Sequence, residues 1–135
     1  MDTRTWVEEQ RAKLAKSANR FVENAAVREA LTALDPTALR TLLGAAANAS
    51  CLDEVLILLR YQQGRDRVKW RDVLVAGMEK ELKELVENAK KGRAAPDEPD
   101  AAEALLATSW LGFLVQIHRY HYEAAREGAR EARRG

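Results

Sequence analysis

The sequence predicts an all-α protein, a single-domain bundle of about five helices. Three observations carry this expectation. Ala, Leu, Glu, Arg and Lys dominate the composition, and all are strong helix formers. Apolar residues recur at three- and four-residue spacing, whereas the alternating Val-, Ile- and Thr-rich stretches of strands are nearly absent. The three prolines and most of the glycines fall where such helices should stop. With 135 residues, 47% of them hydrophobic, residues 1–135 read as one domain with room for an ordinary core without disulfide or metal staples.

The first segment runs from about Thr3 to Leu34. Trp6, Leu14, Phe21, Val22, Ala25 and Leu31 form one apolar stripe, with Glu8, Arg11, Lys16 and Glu23 between them. Asn19 or Asn24 can divide it into two helices. Asp35-Pro36 is a start signal, because Asp caps a helix and Pro suits its first position. The helix that follows carries Leu39, Leu42 and Leu43, then becomes small-sided from Gly44 to Ser50, where another helix can approach closely. Ser50 or Asp53 can cap the next helix, whose Leu52, Val55, Leu56, Leu58 and Leu59 mark it for the core, and Gly64 ends or loosens it. A further amphipathic helix is expected from about Arg67 to Lys90. Its apolar positions are Trp70, Val73, Leu74, Met78, Leu82, Leu85 and Val86, and Glu79–Lys83 and Lys80–Glu84 stand at i,i+4 on its wet face. Residues 91–100 read as a polar, flexible loop. The last helix spans about Ala101 to Ala125, with Leu105, Leu106, Trp110, Phe113, Leu114, Ile117 and Tyr120 on its apolar side. Residues 126–135 read as a basic tail, either fraying helix or disordered.

Several function classes fall away on composition. The single cysteine excludes an intramolecular disulfide framework and points to a reducing compartment, so a cytoplasmic location is expected. The apolar runs fall far short of the roughly 18 residues of a membrane span, and the first ten residues lack the apolar core of a signal peptide. There is no G-x-G-x-x-G, no G-x-x-x-x-G-K-[ST] and no G-x-S-x-G pattern. Cys51 lies in a small-residue stretch, where free cysteine behaves as a small hydrophobe. His118 and His121 stand at i,i+3 but lack the further ligands that a zinc or di-iron site needs, and read as boundary residues, one half-buried and one wet. No pair of carboxylates is marked for acid/base work. The expectation is therefore no enzyme, no cofactor and no metal.

The informative feature is where positive charge collects. The formal net charge is only +1, which disfavours a solitary tight binder of nucleic acid. Yet Arg60, Arg65, Arg67, Lys69 and Arg71 crowd one segment against Asp66 alone, with Tyr61 and Trp70 interleaved. Arginine forks beside aromatic faces suit phosphates and exposed bases. A second group is Lys90, Lys91 and Arg93. A third joins Arg119 to His118, His121, Tyr120, Tyr122 and the basic end.

Three blocks carry a family likeness: LDPTALRTLL at 34–43, the Tyr61, Gln62, Gly64 and Arg65 set, and FLVQIHRYHYEA at 113–124. In order and separation they resemble the small α-helical subunit of type III CRISPR interference complexes, of the Csm type, with the Cmr type a close second. Asp35-Pro36, Gln116 and Tyr122 depart from the family's pattern, and the acidic loop from Pro96 to Asp100 has no counterpart in it. The resemblance implies a non-catalytic subunit. Copies would stack along a ribonucleoprotein, touch guide RNA and target RNA, and bridge the other subunits, with no membrane role. It further implies Arg40 and Arg65 as nucleic-acid contacts, then Arg119 and His121. Arg60, Arg67, Lys69 and Arg71 join them on the charge pattern alone. The alternative is a helical adaptor or dimer with no nucleic-acid role, suggested by the apolar first-helix face and the Gly44–Ala49 stretch.

Overall fold

The structure is a computed structural model that describes residues 1–92 and 94–134. Among the described residues it is all-α, with six helices rather than five: α1 (Thr3–Glu23), α2 (Ala25–Thr32), α3 (Pro36–Ala46), α4 (Leu52–Arg65), α5 (Asp72–Lys90) and α6 (Pro99–Arg134). The added helix comes from Asn24. Its backbone is extended (φ −65°, ψ 121°), which stops α1, and its side chain accepts from the Val27 N–H at 3.1 Å, which starts α2. Asp2 and Asp35 cap α1 and α3 in the same way, through the Thr5 and Ala38 amides at 2.8 and 2.9 Å.

Four boundaries differ from the sequence reading. Neither Ser50 nor Asp53 caps α4. Cys51 holds the N-cap position with no side-chain bond, and the Glu54 carboxylate reaches back to accept from the Ser50 N–H at 3.0 Å. The helix expected from Arg67 begins only at Asp72. Asp66 takes the Lys69 amide on its side chain at 3.0 Å and the Trp70 amide on its carbonyl at 3.0 Å, so the chain turns inward and buries Trp70. Gly64 does not end α4, which runs one residue further. At the other end of the molecule, α6 does not stop near Ala125 but continues through the basic segment to Arg134. Arg93, within the expected loop, and Gly135 lie outside the described residues.

The core is built around α6, which packs against each of the other five helices. Ala102, Ala104 and Ala107 are buried along it, so neighbouring backbones come close. Within the small-sided stretch at the end of α3, Ala46 is buried, and the Thr108 hydroxyl of α6 donates to its carbonyl at 3.3 Å. Trp6, Trp70 and Trp110 are all at most 2% exposed. Phe21 meets Trp110 edge-on at 5.3 Å, and a Cβ at Gly77 would stand 3.0 Å from the Phe21 ring, which would have to give way by a few tenths of an ångström. The Trp110 indole N–H donates to Ser17 Oγ at 3.1 Å, and that hydroxyl donates to Glu81 at 2.5 Å. This relay joins α6, α1 and α5 through a buried serine. The apolar stripe of α1 is thus spent inside the bundle. Val73, Leu105 and Tyr120, expected on apolar faces, are exposed.

His118 is the last buried residue of α6. It is 1% exposed rather than a boundary residue, its Nε2–H donates to the Leu34 carbonyl at 2.7 Å, and the Tyr122 ring stacks on it at 5.7 Å. Burial holds its pKa below the ordinary 6.5. The unfolded chain therefore takes up the proton more readily than the folded one. Stability is complete above about pH 6.5 and declines below it. Urea unfolding midpoints should fall between about pH 7 and about pH 5. His118→Gln should remove much of that fall. An equal slope in both proteins would contradict the assignment.

Candidate nucleic-acid interface

The eight basic residues singled out in the sequence divide by what they touch. Arg60 binds the half-buried Glu79 with both edges of its guanidinium, Nε–Oε1 at 2.8 Å and Nη2 to Oε2, and so braces α4 to α5. Glu79 in turn raises the Arg60 pKa further. Lys69 places Nζ 2.6 Å from Asp35, the carboxylate that caps α3. The Lys69 hydrogen bond and the Ala38 amide together hold the Asp35 pKa below the usual carboxylate value. Arg71 stands 3.5 Å from Glu29, and Arg119 stands 3.3 Å from Glu123 one helical turn away. These four cations are occupied by carboxylates of the same chain. The expected Glu79–Lys83 and Lys80–Glu84 pairs do not form among the described residues; Glu79 serves Arg60 instead.

Arg40, Arg65 and Arg67 are different. All three are exposed, and among the described residues none has an acidic partner within ion-pair distance. The Arg65 guanidinium lies over the exposed Tyr61 ring at 5.7 Å. Ile57, Tyr61 and Arg65 are spaced by four residues and share one face of α4. With Val68 on the adjoining turn, they expose apolar side chains beside a free cation. Arg65, Lys69, Gln62, Thr37 and Thr41 line a concavity of about 310 Å³ between α3 and the α4–α5 turn, with Asp35 and Asp66 in its wall. Arg40 sits on α3 but does not line it. Trp70 is core, so it is no stacking platform.

His121 and Arg119 are not brought to this wall. His121 is half-buried against the Tyr120 ring edge at 5.1 Å and faces a shallow surface between α2 and α6. Of the second basic group, Lys90 is held by Glu103 at 2.9 Å, which raises its pKa, Lys91 is exposed, and Arg93 lies outside the described residues. The sequence reading places Lys16 on the charged side of the first segment without joining it to Lys13 and Arg20, although their i, i+3, i+7 spacing is a signal for one shared face. Among the described residues no group of three or more His, Cys, Asp or Glu could hold a metal ion, and no helix is long and apolar enough to cross a membrane. Cys51 is a half-exposed free thiol at the start of α4.

Comparison with protein-family models, curated proteins and solved structures finds no match.

The division between braced and free cations has a direct check. Asp35→Ala removes a cap and an ion pair and should cost about 0.5–2 kcal/mol. A double-mutant cycle with Lys69→Met should return a coupling of about 0.2–1 kcal/mol. Arg60→Met should lower the melting temperature, while Arg40→Ala, Arg65→Ala and Arg67→Ala leave it unchanged. Equal losses at the two sets would erase the distinction.

Proposed function

We propose that this chain is a non-catalytic, RNA-contacting assembly subunit that acts in several copies, as the small subunit of type III CRISPR interference complexes does. The observation that carries the reading is the α4 face and the turn after it: among the described residues Arg65 and Arg67 have no ion-pair partner, and the Arg65 guanidinium lies over the exposed Tyr61 ring. Asp66, the buried Trp70 and the Lys69–Asp35 pair fix the turn behind them. Such a surface neutralises phosphates with its guanidinium groups and offers an aromatic ring to a base.

The mechanism is additive and independent of sequence. Each phosphate contact releases counterions and fixes register without reading bases, which suits an assembly whose target is chosen by base pairing. With a net charge of +1, one copy binds weakly. Copies held in a row gain from high effective concentration. Guide and target RNA, the other effector subunits and further copies of this chain are the partners in this reading, and the cytoplasm is its location.

The exposed end of α6 supports docking to a neighbouring subunit. All described residues beyond Tyr122 are exposed, with Ala124, Ala125, Gly128, Ala129 and Ala132 on one side and Arg126, Arg130 and Arg133 on another. This arm also favours the second reading, a helical adaptor that holds proteins and no RNA.

Two experiments separate the readings. In the assembled complex, Arg65→Ala or Arg40→Ala should weaken RNA binding and reduce the salt slope by about 0.7 per lost phosphate contact, with folding intact. Unchanged RNA binding in both variants sinks the RNA role. Truncation after Glu123 should lower the melting temperature by no more than about 4 °C, equivalent to about 1 kcal/mol, yet abolish assembly. RNA-free complexes that depend on the arm would favour the adaptor.

A further inference from the structure

A groove of about 540 Å³ runs between α1, α5 and α6, away from the α4 turn. Its rim carries Lys13, Lys16 and Arg20 from α1. All three are exposed, and among the described residues none has an ion-pair partner. No acidic residue lines the groove. Gln10, Asn19 and Asn88 also face it, and Leu14, Leu85 and Leu106 form its floor. The charged side chains that line it are thus all cationic, in a chain whose acidic and basic residues are balanced at 21 and 22, and the neighbouring Glu81 of α5 is engaged by Ser17.

The arrangement selects among anions. Lys13 and Arg20 are seven residues apart, about 10 Å along the helix axis, with Lys16 between them. A compact anion would engage one end of that row. An amphipathic acid would place one carboxylate and leave two cations unmet. A linear polyanion matches all three. The amides both donate and accept, so they can meet ribose hydroxyls and base edges. Leu85, half-buried, offers a small apolar surface beside them, while Leu14 and Leu106 are closed to solvent.

We infer that this groove is a second RNA site, taking a short single-stranded phosphodiester stretch along Lys13, Lys16 and Arg20, with the three amides against ribose and base. The inference rests on the RNA-contacting reading above and adds a contact track from α1, which that reading does not use.

The test is a ¹⁵N NMR titration of the full chain with oligouridylate at low salt, a method that detects weak binding by a single copy. The side-chain amides of Asn19 and Asn88 should shift together with the backbone around Lys16. Lys13→Gln/Lys16→Gln/Arg20→Gln should weaken binding about tenfold, following the loss of up to three phosphate contacts. Shifts confined to the Arg65–Lys69 turn, with the triple variant binding as well as the native chain, would overturn the groove and leave the parent reading intact. Equal perturbation by a polyglutamate of matched charge would overturn RNA as the occupant in favour of an acidic protein. Absence of any shift with excess strand would also overturn the groove, while the assembled-complex measurement judges the parent reading separately.

Discussion

The fold depends on one long helix that every other helix must touch. α6 packs against α1 to α5, and its buried alanines let those contacts close. Its only buried polar side chains are committed to specific partners: Trp110 to Ser17, and His118 to the Leu34 carbonyl. A slide of α6 by one turn would strand both donors in a dry interior, where each unmet group costs about 1–3 kcal/mol. Hydrophobic burial holds the bundle together, and these two bonds set its register. No buried side-chain polar atom among the described residues lacks a partner, so the register is consistent throughout.

The same residue types perform two tasks in this molecule. Arg60 and Lys69 hold elements together, because Glu79 on α5 and Asp35 at the N-cap of α3 lie within reach. Arg40, Arg65, Arg67, Lys13, Lys16 and Arg20 have no such neighbour among the described residues, so their charge is available to solvent or a partner. A chain with near-zero net charge can therefore still present faces of one sign. Internal pairing cancels part of the charge locally, and the remainder is concentrated by the fold.

Much of the architecture was legible because its signals are local. Asp35-Pro36 announced α3, Asn19 or Asn24 announced a division of the first segment that falls at Asn24, and the apolar spacing of Leu74, Met78, Leu82 and Val86 announced the buried face of α5. The errors came where a side chain redirects the backbone or a distant partner decides. Asp66 captures its own turn and delays α5 by five residues relative to Arg67, against a helical pattern that runs through it. The Arg60–Glu79 and Lys69–Asp35 pairs span 19 and 34 positions, a separation that charge runs along the chain cannot reveal. Tyr61 and Trp70 look equivalent in sequence, but burial of the indole leaves only tyrosine outside. The α1 row was visible as spacing, and only the fold supplies the groove beside it.

The corner between α2 and α3 has a dynamic consequence. His118 grips the Leu34 carbonyl from α6, while Lys69 and the Ala38 amide grip the adjoining Asp35. Two adjacent residues thus tie the root of the α6 arm to the turn that carries Arg67. Local opening at this corner breaks the His118–Leu34 bond and frees the Asp35 cap next to it, so the amides around Leu34–Ala38 and His118 are expected to exchange together, whereas the wholly exposed arm beyond Tyr122 frays apart from them.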